Sequence, residues 1–272
     1  MGSRPAPPPL PTSARQPTPV APAVLVFGDG ALDVGNNNDL TGGEIGDPPR
    51  ANHPYYGIDY PGGQATAKAL GFEMSPPAYR SLPDLIPEKM QGFTGVNYAS
   101  ANAGIESSTL LGSTITAMHG MGARKFGIIN MGLIGCTPSV QSSSGHGGDG
   151  PCDHNMNKLA YEFNSALRTL MSDLATKLHR FRYSLADFYA FSNATFSNPL
   201  AYGFANTNSA CCPGPCAPYP YFGQPCSNRM DYWFWDDGYT TEKAARLASM
   251  AFYSVNTFSM PVNLKRLLAM KG

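Results

Sequence analysis

Charge is scarce and balanced in this sequence. Among 272 residues, 19 are Lys or Arg and 19 are Asp or Glu, so the formal net charge is zero and charged residues make up only 14%. No basic run is visible. That excludes nucleic acid as a partner, because binding phosphates needs a concentrated positive field. No apolar run reaches the ~20 residues that cross a bilayer as a helix, so no membrane span is expected. The first 22 residues lack the apolar core of an export signal. Position six is Ala6, where a myristoylation signal needs Ser or Thr. Histidine is also sparse: there are five, and none beyond His179. The chain after that point therefore has no imidazole for acid–base work.

Glycine and proline are plentiful, at 29 and 25 residues. Such numbers suggest long loops rather than dense regular structure. Residues 1–22 hold Pro5, Pro7, Pro8, Pro9 and Pro11 and are expected to be a disordered tail. A polyproline ligand segment is the weaker reading, since no arginine flanks a P-x-x-P pair at the usual offset. Residues 23–272 are long enough for one sizeable core. The six cysteines are Cys136, Cys152, Cys211, Cys212, Cys216 and Cys226. An even number, four of them crowded into a Gly/Pro-rich loop, points to a disulfide framework. A zinc site built on Cys212-Pro213-Gly214-Pro215-Cys216 is the alternative.

Periodicity supplies the elements. Short apolar runs at Ala23–Phe27, Val96–Ser100, Lys125–Gly132 and Arg182–Asp187 read as buried parallel strands. From Asp153 to His179, Met156, Leu159, Ala160, Phe163, Leu167, Leu170, Met171, Leu174 and Leu178 recur at the helical period, with Asp153 as N-cap. Thr66–Phe72 and Thr240–Tyr253 suggest two further helices. Strands alternating with helices argue for an α/β domain with a largely parallel sheet.

The segment Val26-Phe27-Gly28-Asp29-Gly30-Ala31-Leu32-Asp33-Val34-Gly35-Asn36-Asn37-Asn38 closely resembles the nucleophile block of the plant GDSL (SGNH) esterases and lipases. Gly95-Val96-Asn97-Tyr98-Ala99-Ser100 through Gly104 is similar to that family's second block. Trp235-Asp236-Asp237-Gly238-Tyr239-Thr240-Thr241-Glu242 is similar to its last, Trp-Asp-x-x-His-Pro-Thr-Glu. The resemblance runs from about Pro22 to the C-terminus. It implies an SGNH-type three-layer α/β/α fold with a mostly parallel sheet, hydrolysis of carboxylic ester bonds in lipid or acyl substrates, no cofactor, and a secreted location. It also favours disulfides over zinc.

The same resemblance assigns roles, and the letters at those positions contradict the chemistry. Gly30 stands where the serine nucleophile belongs and has no side chain with which to attack. Tyr239 stands where the histidine base belongs. A phenol with a pKa near 10 is protonated at neutral pH and cannot accept a serine's proton efficiently. Asp236 keeps the position of the residue that orients the base, and Gly104 that of an oxyanion-hole N–H. The third block, Gly-x-Asn-Asp, is not found. The pattern jumps from near Leu110-Leu111-Gly112 to Met121-Gly122-Ala123-Arg124-Lys125-Phe126, so an internal deletion near 112–121 and the loss of a central strand are expected. His53, His119, His146 and His154 match no catalytic position.

The favoured expectation is a family member without hydrolase competence, either a pseudoenzyme that still holds a small acyl or carbohydrate ester or the product of a decayed gene with no role. One alternative is a residual hydrolase with a substitute nucleophile such as Ser100 or a free cysteine. The other is a non-catalytic interaction module. Asn193-Ala194-Thr195 is an acceptor pattern for N-linked glycan should the product be exported.

Overall fold

A computed structural model of the chain describes residues 24–28, 55, 76–79, 95–99, 108–143, 152–214, 216 and 224–271. Two short strands, β1 (Val24–Val26) and β2 (Gly95–Asn97), pair in parallel. Helix α1 (Ser108–Gly120) leads into strand β3 (Lys125–Ile129). Then come the short helix α2 (Pro138–Ser143), the long helix α3 (His154–Lys177) and strand β4 (Arg182–Ala186). Helix α4 (Phe188–Ser197), strands β5 (Asn206–Ala210) and β6 (Tyr232–Phe234), helix α5 (Glu242–Ser254), strand β7 (Ser259–Met260) and helix α6 (Leu264–Ala269) complete the chain. The expected helix at Thr66–Phe72 lies outside the described residues.

Helix α3 forms where its period and cap place it. The Asp153 carboxylate accepts the N–H groups of Asn155 (2.8 Å) and Met156 (3.0 Å), two of the donors that every helix start leaves without a partner. Its inward face is rotated from the expected one. Leu159 is 57% exposed, whereas Asn157 and Asn164 are buried. The two asparagines win those positions through main-chain bonds. Asn157 Oδ1 accepts from Gly135 N–H at 2.8 Å, and Asn164 bonds both the N–H and the carbonyl of Met131. Further along, Leu167, Met171 and Leu174 join Ile115 of α1 and Phe126, Phe181 and Leu185 in one core.

That core covers one face of the β3–β4 pair. Helix α6 approaches from the other, with the Leu264 side chain passing close over Gly127, and Ala186 of β4 joins the apolar cluster that holds Ala244 and Ala248 of α5. A second core joins Phe191 of α4, Phe204, Trp233, Phe234 and Phe252. The fold is thus α/β, with helices on both faces of parallel strands. Among the described residues the sheet is not continuous. The described strands form three separate groups: β1–β2, then β3–β4–β7 with only β7 antiparallel, and β5–β6. Strand β3 stands at an edge of its group, and Ile129 on it is 53% exposed.

The cysteines pair as Cys136–Cys152, Cys211–Cys226 and Cys212–Cys216. The zinc alternative fails here, because all six sulfurs are bonded to one another and none is a free thiol. A cysteine as substitute nucleophile fails for the same reason. Among the described residues, no helix is long and apolar enough to cross a membrane.

Candidate active site

The turn between β6 and α5 carries the two described candidates, Asp236 and Tyr239. Thr241 caps α5, accepting from Ala244 N–H, while its hydroxyl donates to the Tyr232 carbonyl at 2.8 Å. This fixes where the turn must end. Asp236 is 6% exposed. Its Oδ1 accepts the main-chain N–H groups of Gly238 (2.9 Å) and Tyr239 (2.7 Å). The Tyr239 carbonyl in turn accepts the Trp235 N–H at 2.8 Å. The carboxylate thus holds its own loop closed, as aspartates do in turns. The Tyr239 side chain is 39% exposed, and a tyrosine has no ring N–H to be oriented by a carboxylate.

The disulfide loop fastens this turn from behind. Cys211 and Cys212 donate their N–H groups to the Phe234 and Trp235 carbonyls at 3.0 and 2.7 Å. Trp235 is buried among Cys211, Cys212 and Cys216. Asp237 extends the anchorage: its carboxylate accepts from Gly214 N–H (3.2 Å) and its carbonyl from Ser139 N–H (2.9 Å). Sequence reasoning missed Asp237, because it falls at a position the block pattern leaves open.

The C-terminal ends of β3 and β4 are where α/β sheets commonly place ligands. Here their polar groups are committed to starting α4. Asn130 Nδ2 donates to Asp187 Oδ1 at 2.9 Å, and Asn130 Oδ1 accepts from Phe188 and Tyr189 N–H at 2.6 and 3.2 Å. Asp187 caps Ala190 N–H at 3.0 Å and lies 3.7 Å from Arg168. Among the described residues no nucleophile–base pair forms there.

The remaining candidates are dispersed or undescribed. Gly30, Gly104, Ser100, His53 and His146 lie outside the described residues. Strands β1 and β2 run in the same direction, so the chain leaves both at one end. Phe27 stacks on Tyr98 there, with centroids 5.1 Å apart, and Tyr79 meets Tyr98 at a tilt, 5.0 Å away. His119 Nε2 lies 2.9 Å from the His179 carbonyl oxygen, so that nitrogen carries the proton and donates. His154 opens α3 and lines a groove of about 520 Å³ between α3 and α4. No cluster of His, Cys, Asp or Glu that could hold a metal ion occurs among the described residues.

The profile of the GDSL-like lipase/acylhydrolase family matches residues 108–252. This chain belongs to that family. The Arabidopsis thaliana GDSL esterase/lipase At1g71691 is 26% identical, covering 97% of this chain and 90% of the relative. A second, At5g37690, is 28% identical over 87% of this chain and 90% of the relative. A third, At1g74460, is 35% identical over 146 residues, 51% of this chain and 38% of the relative. The first alignment runs over 361 positions, 89 more than this chain has residues, so the relative carries internal sequence with no counterpart here. Against At5g37690 the alignment spans 334 positions, again more than the chain can fill.

Proposed function

We propose that this GDSL-family chain does not hydrolyse esters and acts, if at all, by binding a small acyl or carbohydrate ester. One observation carries the reading. Asp236, the one retained triad position, commits Oδ1 to the N–H groups of Gly238 and Tyr239, and the position of the base is a phenol. Gly30 supplies no oxygen to attack a carbonyl. Hydrolysis by this route needs a nucleophile, a base, an orienter and oxyanion donors acting together. Two of the three triad roles are unfilled, and the Gly-x-Asn-Asp donor block is absent from the sequence.

The missing sequence supports the same reading. The family match begins at residue 108, and the sequence pattern jumps near 112–121. We place the join there. The lost piece then includes the strand that would carry the oxyanion asparagine and would link the β1–β2 pair to the β3 edge.

The test is direct. Purified, folded protein should turn over short-chain aryl esters no faster than buffer and should not be labelled by a fluorophosphonate. The Gly30→Ser variant should remain silent. Gly30→Ser combined with Tyr239→His should stay at least ~10²–10³-fold below an intact relative, the usual cost of one missing oxyanion donor. Turnover matching an intact relative, or a mapped probe adduct on Ser100, would refute the proposal.

A further inference from the structure

We propose that Asn193 carries an N-linked glycan whose inner sugars lie in the groove between α3 and α4. The sequence contains one N-x-S/T acceptor triplet, Asn193-Ala194-Thr195. The structure puts Asn193 on the exposed side of α4, at the rim of a groove of about 520 Å³. That size falls within the range of about 300–1,000 Å³ that ligand-sized groups occupy. Helical spacing builds both walls. Tyr189, Asn193 and Phe196 form one face of α4, while His154, Asn157, Lys158 and Tyr161 form one face of α3. The Cys136–Cys152 disulfide also lines the groove.

The chemistry of the walls suits a sugar. Tyr161 and Tyr189 meet edge to face at 5.9 Å, and Tyr161 is 56% exposed. Aromatic rings present flat apolar surface to the C–H face of a pyranose and a polar tip to its hydroxyls. Burial, and then the neighbouring Tyr161, raise the pKa of Tyr189, so its phenol remains a donor. Among the described residues the Asn193 carboxamide has no hydrogen-bond partner. Three disulfides place the folded chain in an oxidising compartment, where such modification occurs.

The order of events also follows. Thr195 is fully buried, and its hydroxyl donates to the Phe191 carbonyl at 2.9 Å. The triplet can therefore be read only before α4 docks. In the transfer, Asn193 Nδ2 forms a bond to the anomeric carbon of a lipid-diphosphate-linked oligosaccharide. The bond from that carbon to the diphosphate oxygen breaks, the lipid diphosphate leaves with the electron pair, and one amide proton is lost.

The full chain, preceded by an export signal, would be expressed in a eukaryotic secretory host. Retained and secreted protein would both be analysed. Enzymatic deglycosylation that converts the carrier Asn to Asp should mark Asn193 by peptide mass, and Asn193→Gln should abolish the shift. Trimming to the innermost sugar should preserve the melting temperature, and complete removal should lower it by several degrees. The Tyr161→Ala variant should erase that difference. Unmodified Asn193 in wild-type chains that entered the pathway overturns the site. A glycan whose complete removal leaves melting unchanged overturns its seat in the groove.

Discussion

Asp236 looks catalytic by position and structural by its bonds. Its Oδ1 satisfies two main-chain donors in a nearly buried turn. Replacing it with Ala leaves both donors without their acceptor. We expect Asp236→Ala to destabilise the fold by about 1–3 kcal/mol, read as a lower melting temperature, with ester turnover at the buffer rate before and after. A change in turnover without loss of stability would instead restore a chemical role. At this scale the sequence was informative about what is missing. Gly30 and Tyr239 are visible as letters wherever the chain places them. It was silent about Asp237, Asn130 and Asp187. Asp237 and Asn130 bond main-chain groups of distant segments, and Asp187 adds to its local cap the side chains of Asn130 and Arg168; such long-range partners have no local signature.

Elements were legible in proportion to their periodicity. Helix α3 announces itself through its stripe and its cap, although the stripe alone misjudged Leu159 because buried asparagines took part of the inward face. Helix α4, Phe-Tyr-Ala-Phe-Ser-Asn-Ala-Thr-Phe-Ser, was not anticipated. Its aromatic and β-branched content suits a strand. The Asp187 cap and the packing of Phe188 and Phe191 against Trp233 and Phe252 make it a helix. Strand β5, Asn-Thr-Asn-Ser-Ala, carries almost no apolar signal and is held by β6 and by the cysteine loop that follows it. Because Phe191 anchors α4 to this core at 2% exposure, Phe191→Ala should cost about 3–5 kcal/mol. Chemical denaturation would measure the loss. A cost below 1 kcal/mol would mean that α4 is held mainly by its cap.

At the scale of the molecule, the described strands fall into three groups, and β3 is an outer strand of its own group. The ladder between β3 and β4 runs from Arg182 N–H on the Arg124 carbonyl to Asn130 N–H on the Ala186 carbonyl. The register between these ends turns the main chain of Phe126 and Ile128 toward β4. It turns that of Gly127 and Ile129 toward an edge with no strand partner among the described residues. That one-sided pairing sets a rhythm that isotopes can read. In deuterated water the amides of Phe126, Ile128 and Asn130 should exchange slowly and those of Gly127 and Ile129 quickly, alternating residue by residue along a single strand. Uniform protection from Phe126 to Asn130 would show that another segment has moved in to cover the edge.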